Sequence, residues 1–247
     1  MIILNVVIFI LGLCVGSFLN VLIYRLPKNL GFVKGRSFCP NCKHKLSWFD
    51  NIPLLSFLIL KGRCRYCRSP ISWRYPAVEL LTGGIFLLSY LNNLSCLSYL
   101  LFSGLIVIFF IDLEHQIILD EIVIPFSLIF LIYFLVVNPK LLISNYLVAG
   151  IFSFLFLYFI YLITKGKGMG FGDVKLAFLM GLVLGWPKIM VAFYLAFLTG
   201  AIIGIILILL RKAKLKQKIA FGPFLVLGTF IAYFLGDKIL DVVERYL

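Results

Sequence analysis

Acidic side chains are what this sequence has least of. Ten Asp and Glu stand among 247 residues, against 23 Lys and Arg. Charged residues of both signs reach only 13%, while 63% are hydrophobic and mean hydropathy is +1.11. So little charge excludes an ordinary soluble globular domain and places the chain in the membrane class. No internal repeat, heptad run or low-complexity tail is visible, which excludes solenoid and coiled-coil architectures. The first apolar stretch lacks a basic leading region and is not followed by an Ala-x-Ala-like site. It is therefore expected to stay as a helix rather than act as a signal peptide. A net charge of +13 on a soluble chain would suggest nucleic acid. Here the expected partner is the lipid bilayer, with no nucleic acid, and the question is which side of it carries the charge.

Apolar runs bounded by charges and turn residues predict helices at about 2–24, 77–91, 95–111, 122–137, 143–163, 174–185, 189–210 and 220–236. Several are shorter than the ~20 residues that cross a bilayer untilted. The basic residues fall unevenly among the breaks. Residues 25–76, 164–175 and 211–219 together hold nineteen of the 23. The intervening breaks carry almost none. The positive-inside rule then makes the basic side cytoplasmic and the N-terminus external. The fold class expected is an all-α polytopic membrane protein of about eight transmembrane helices. A small cytoplasmic loop domain at 25–76 separates the first helix, 1–24, from a helical remainder at 77–247.

That loop contains Cys39-Pro-Asn-Cys42 and Cys64-Arg-Tyr-Cys67, two CxxC pairs 21 residues apart. The spacing supplies four thiolates for a tetrahedral zinc ion. Disulfides are the rival, but the loop is expected in the reducing cytoplasm. A thioredoxin-like redox site would need a βαβ pattern that is not there. Four protein ligands leave no open position, so zinc held by Cys39, Cys42, Cys64 and Cys67 would be a structural staple. Cys14 and Cys96 lie in apolar helices and read as small core residues.

With ten acids, each can be questioned in turn. Asp50 lies in the cysteine loop, and Asp237, Asp241 and Glu244 read as solvated surface. Glu79 lies just inside the second span, where an ion pair with Arg74 is expected. His115 reads as a polar interface residue. Asp112, Glu114, Asp120 and Glu121 cluster in "IDLEHQIILDE" without a Lys or Arg, on the side that is otherwise basic. Asp112 closes an apolar helix there, and Asp173 of "GMGFGDVK" starts another on the same side. Two carboxylates from separate helices at one depth could meet. A close pair shares a proton near neutral pH, which suits one as base and the other as acid. Gly170 and Gly172 would let backbones approach closely or reach positive φ before Asp173. Asp173 reads equally as a helix cap and as a functional acid.

Four ordered segments carry a family resemblance. They are "GSFLNVLIYRLP" at 16–27, the cysteine loop and second-helix start at 39–83, "IDLEHQIILDEIVIP" at 111–125 and "GMGFGDVKLAFLMG" at 168–181. The chain resembles the bacterial prepilin peptidases over nearly its whole length. These are bifunctional leader peptidases and N-methyltransferases of type IV pili, type II secretion and DNA-uptake systems. The resemblance implies a GxGD aspartic protease with Asp112 and Asp173 as its catalytic pair, in the inner membrane of a bacterial cell. It implies cleavage of a short basic leader from prepilin or pseudopilin substrates, typically after a glycine. Methylation of the new N-terminus would follow, with S-adenosylmethionine as donor. No Gly-rich nucleotide fingerprint supports that second half. Leu119 stands where many relatives have Pro before the second acid pair. A basic leader would be repelled by the loop and drawn to Glu114, Asp120 and Glu121, the acidic island. Another class remains, a transporter or channel with paired membrane acids. Its acids would be expected at the midplane rather than at one face. A membrane scaffold would leave the Asp112–Asp173 pairing without purpose.

Overall fold

A computed structural model of the chain describes residues 2–31, 35–210 and 219–246. Lys34 and the basic run Arg211, Lys212, Lys214, Lys216 and Lys218, on which part of the charge asymmetry rests, lie outside the described residues. The described chain is helical: α1 (Ile2–Arg25), α2 (Leu55–Ile59), α3 (Arg74–Leu91), α4 (Cys96–His115), α5 (Asp120–Val137), α6 (Pro139–Leu141), α7 (Val148–Ile163), α8 (Phe171–Leu184), α9 (Lys188–Leu209) and α10 (Gly222–Tyr246). A π-helical stretch, Leu142–Leu147, joins α6 to α7.

Each of the eight expected spans falls on a helix. Among the described residues, six stretches are long and apolar enough to cross a membrane: α1 with its extension to Lys28, α4, α5, α6 through α7, α9 and α10. The other two expected spans are α3, which carries Arg74 and Glu79, and α8, which has only 14 residues. At 1.5 Å per residue α8 is about 21 Å long, short of the ~30 Å hydrocarbon core. Two boundaries differ from expectation. α4 runs to His115, so Asp112 and Glu114 sit on its last turn, and α10 runs to Tyr246, through Asp237, Asp241 and Glu244. The sequence criterion stops at the first charge, where the bilayer ends. Lys, Glu and Arg are good helix formers, so the helix need not stop there.

The chain forms two compact units, 1–107 and 108–247, with the boundary inside α4. In the first, α1 and α3 pack antiparallel. Gly12 faces Gly83 and Gly16 faces Glu79, and the small residues let the backbones close up. One turn on, Asn20 Nδ2 donates to the Tyr75 carbonyl at 3.1 Å. Glu79 is buried, and its carboxylate accepts the Leu54 N–H at 2.9 Å and the Ser17 hydroxyl. These contacts differ from the Arg74 ion pair read in the sequence. They pin the cysteine loop to α3 through Leu54, whose φ of 59° is left-handed.

In the second unit α8 is the central helix. It packs against α5, α7, α9 and α10, and its run from Leu179 to Leu184 is buried throughout. The aliphatic side chains left exposed line α5, α7 and α9, as expected of faces turned to lipid. Asp173 is thus fixed at the start of the most enclosed helix of the unit.

Candidate active site

The two aspartates read from the sequence come from different helices and are both buried, Asp112 at 4% exposure and Asp173 at 6%. The charge of Asp112 acts on Asp173. They lie within electrostatic reach of each other. Each is gripped by one backbone N–H at a helix start. The Gly222 N–H, opening α10, donates to Asp112 Oδ2 at 3.0 Å. The Gly170 N–H, at the N-cap of α8, donates to Asp173 Oδ2 at 3.0 Å. Helix N-termini favour negative charge, so each carboxylate sits where an anion is held and oriented. One oxygen of each acid is fixed by these bonds.

Local sequence explains the clamp on Asp173. The carboxylate is at N3 and folds back on the N-cap amide, one half of a capping box. The acid therefore caps its helix from the third position rather than from the N-cap itself. Gly170 has φ −78°, so its lack of a side chain is not needed for a left-handed turn. Gly172 serves close approach, because a Cβ there would lie 2.8 Å from Ile118 Cβ. The connection from α4 to α5 is only Gln116 to Leu119, and Gln116 reverses the chain at φ 55°. It delivers Ile118 against both Gly172 and Gly222, with the Ile118 Cδ1 3.1 Å from a Cβ built at Gly222.

The acidic island divides in the structure. Asp120 starts α5 and is paired with Lys175 of the aspartate motif at 2.7 Å, which ties α5 to α8. Glu121 is exposed beside it, and Glu114 and His115 end α4, also exposed. Gly222 was not singled out from the sequence. The signal available was "FGPF", a glycine before a proline at a helix start. Nothing in that pattern says which side chain its amide would meet.

The four loop cysteines form one cluster, their sulfurs all within 4.8 Å of one another. Tetrahedral zinc with ~2.3 Å bonds would set sulfurs about 3.8 Å apart. Cys39 and Cys67 are already at 3.9 Å. The two knuckles repeat one local geometry. Cys39 and Cys64 each accept, on their carbonyl, the N–H four residues on, from Lys43 and Arg68, and both of those residues are left-handed. Asp50 braces the loop, accepting from Ser47 N–H and pairing with Arg65 at 2.8 Å. The Ser69 hydroxyl, 3.1 Å from Cys67, helps pull that thiol down to about 6. A backbone hydrogen bond from His44 works to lower Cys42, but desolvation and the Cys39 and Cys67 thiols push it up to about 11. One thiolate comes readily and opposes the next, a conflict that a dication removes. The donor set fits a metal ion.

Comparison with known proteins matches two stretches of the chain. Residues 10–93, with all four cysteines, match the bacterial peptidase A24 N-terminal domain. Residues 99–205, with both aspartates, match the type IV leader peptidase family. The chain belongs to that family. It is 35% identical to the prepilin leader peptidase/N-methyltransferase of Aeromonas hydrophila, over 94% of this chain and 91% of that protein. The protein of the same name from Pseudomonas aeruginosa is 34% identical over 93% of this chain and 90% of its own length. That from Bacillus subtilis is 35% identical over 95% and 96%. No solved structure matches. Gly222 lies past the residues matched to the leader peptidase family, so family membership does not by itself point to it.

Proposed function

We propose that the protein is a prepilin leader peptidase and N-methyltransferase of the bacterial inner membrane. The observation that carries this reading is the pair of buried aspartates, each held by a helix-start amide, in a chain of this family. The transporter alternative gains no support from the relatives. In the reaction, Asp112 and Asp173 share one proton. The ionised member takes a proton from a water molecule, whose oxygen attacks the scissile carbonyl carbon. The protonated member donates to the carbonyl oxygen; the proton taken from water then passes to the leaving nitrogen as the C–N bond breaks, and the hydroxyl proton of the collapsing intermediate returns to the other aspartate, releasing the new amine and restoring the pair. The N–H bonds from Gly170 and Gly222 keep one oxygen of each acid turned toward its amide and leave the other for this work. The direct test is purified protein in detergent with a prepilin, following leader loss and methylation by mass. A wild-type protein that cleaves no prepilin would overturn the proposal.

For the second activity S-adenosylmethionine is the donor implied by the relatives' name. The groups of the N-terminal unit that suit a cationic sulfonium are the Glu79 carboxylate and the buried Oδ1 of Asn20, which has no hydrogen-bond partner. For the metal we propose zinc on Cys39, Cys42, Cys64 and Cys67. One ion per chain is expected by elemental analysis, and Cys64→Ser should lose it. A closed site holds its loop together, so protease sensitivity of residues 35–73 should rise on zinc removal. Methylation should fall further than cleavage. Metal-free wild-type protein with full methylation would defeat the assignment.

The proposed orientation puts the cysteine loop and both aspartates on the cytoplasmic face, with the N-terminus outside. Glu114, Asp120 and Glu121 then present acid to a cationic leader there. Lys175 already shares Asp120, which lowers the part that this acid plays in the attraction. Exposed charges act over ~8–10 Å at physiological salt. Neutralising all three acids to Asn or Gln should raise KM for a Lys-bearing leader about two- to fivefold, with kcat nearly constant. Added salt should narrow the gap. An unchanged KM at low salt would remove these residues from leader binding.

A further inference from the structure

The cysteine loop leaves an apolar face open. Its helix α2 has Leu55, Leu58 and Ile59 exposed, the last two at 68% and 73%. Trp73, immediately before α3, is 76% exposed, and its ring lies 5.0 Å from that of Phe57 of α2. A loop surrounded by water would bury such side chains, whereas Trp and aliphatic groups beside a bilayer settle at the headgroup level. The hydrogen bonds of the loop fix the depth of this face. Leu54, which precedes α2, donates its N–H to buried Glu79 at 2.9 Å, and Glu79 lies level with Gly16 of α1. From Gly16 to Arg25 helix α1 rises about 13 Å. Over that length it carries no charge before Arg25, and Phe18 on it is exposed. Leu80 and Leu81 of α3, next to Glu79, are exposed as well. The start of α2 therefore sits inside the charged end of the span, at a level where α1 and α3 themselves turn aliphatic and aromatic groups outward.

Basic residues stand at the other end of α2. Lys61 and Arg63 follow it closely and are exposed. The sequence of residues 35–73 holds a single acid, Asp50, and Arg65 pairs with it. A short apolar helix closed by cations is the pattern of a segment lying on an anionic membrane. We propose that α2 and Trp73 lie in the headgroup layer, with Leu55, Leu58 and Ile59 at the acyl boundary and Lys61 and Arg63 paired to anionic lipid headgroups. Lipid is the occupant because the level of this face is set by the spans to which the loop is bonded. Cys64 follows Arg63 directly, so the four-cysteine cluster is carried at the membrane surface rather than free in solution. The inference stands apart from the leader-peptidase reading, since it concerns how the loop is seated and not what the acid pair does.

The test uses the full-length protein in lipid nanodiscs, which leave both membrane faces open. Trp48→Phe with Trp186→Phe leaves Trp73 as the single tryptophan. Acyl chains brominated near the headgroup should quench its fluorescence at least about twofold, while acrylamide, uncharged and confined to water, should quench it weakly. Adding phosphatidylglycerol to phosphatidylcholine should lower the acrylamide quenching about twofold further. Lys61→Gln with Arg63→Gln should remove that dependence on lipid charge. Leu58→Gln with Ile59→Gln should cut the bromolipid quenching about twofold, because Phe57 couples Trp73 to α2. Should the single-tryptophan protein fail to fold, the Leu58 and Ile59 comparison is made with all three tryptophans in place. Strong acrylamide quenching without a bromolipid effect overturns the proposal, since the face then lies in water. So does shielding from both quenchers, which marks a second copy or another protein as the occupant. Equal acrylamide quenching with and without phosphatidylglycerol overturns the pairing of Lys61 and Arg63 with anionic headgroups.

Discussion

Asp112→Asn and Asp173→Asn will each stop leader cleavage, with losses of at least about 10³-fold in kcat. The two changes are nearly isosteric and keep an oxygen that can still accept the clamp N–H from Gly222 or Gly170. The helices should therefore remain where they are. On the proposed mechanism, what is lost is the proton shared by two carboxylates, and with it either the base toward water or the acid toward the carbonyl. Since the groups work as one unit, the double variant should be no slower than the worse single one. The expected signature is loss of cleavage with unchanged thermal unfolding in detergent. Methylation of a substrate supplied without its leader should continue, because the groups proposed above for the methyl donor, Glu79 and Asn20, are not the acid pair. Cleavage at near wild-type rate by either variant, at equal expression, would show that the pair is not the catalytic centre.

How much of this could be seen beforehand depends on the kind of signal each residue leaves. Helices in lipid must be apolar for about 20 residues, so the spans stand out, and all eight expected stretches fall on helices. The cysteine cluster is legible because tetrahedral ligation needs two short CxxC turns, and the turn geometry follows from the spacing. The aspartates are legible because an acid at the edge of an apolar run is costly and rare in this chain. The partners of these groups were not legible. The grip of Gly222 on Asp112 joins residues 110 positions apart through a backbone amide, which has no side-chain identity to read. Lys175 looked like one more basic residue, yet it pairs with Asp120 across 55 positions. Glu79 had a plausible cation one turn away, but burial against α1 gave its carboxylate the Leu54 N–H and the Ser17 hydroxyl. Sequence patterns mark which atoms are present. Tertiary packing decides which of them meet.

Gly222→Ala should cost about 10²-fold in cleavage while removing no charged or polar group. A Cβ built at Gly222 lies 2.6 Å from Asp112 Oδ2, 3.1 Å from its Cγ and 3.1 Å from Ile118 Cδ1. A methyl group cannot stay there. Either the carboxylate swings away or the start of α10 retreats, and both lengthen the 3.0 Å bond that orients Asp112. A displacement near 1 Å at a reacting group is worth roughly 10²-fold. The nearby Pro223 favours helical φ at this first turn, so α10 itself should still form. Ala220→Gly, two residues earlier, adds no atom to the start of α10 and serves as the control. Should the Gly222→Ala protein unfold earlier, the ratio of cleavage to methylation in the same sample still reads the effect. A clamp defect lowers the first activity alone, while a folding defect lowers both. Wild-type cleavage by a folded Gly222→Ala protein would mean that the α10 amide is not what positions Asp112.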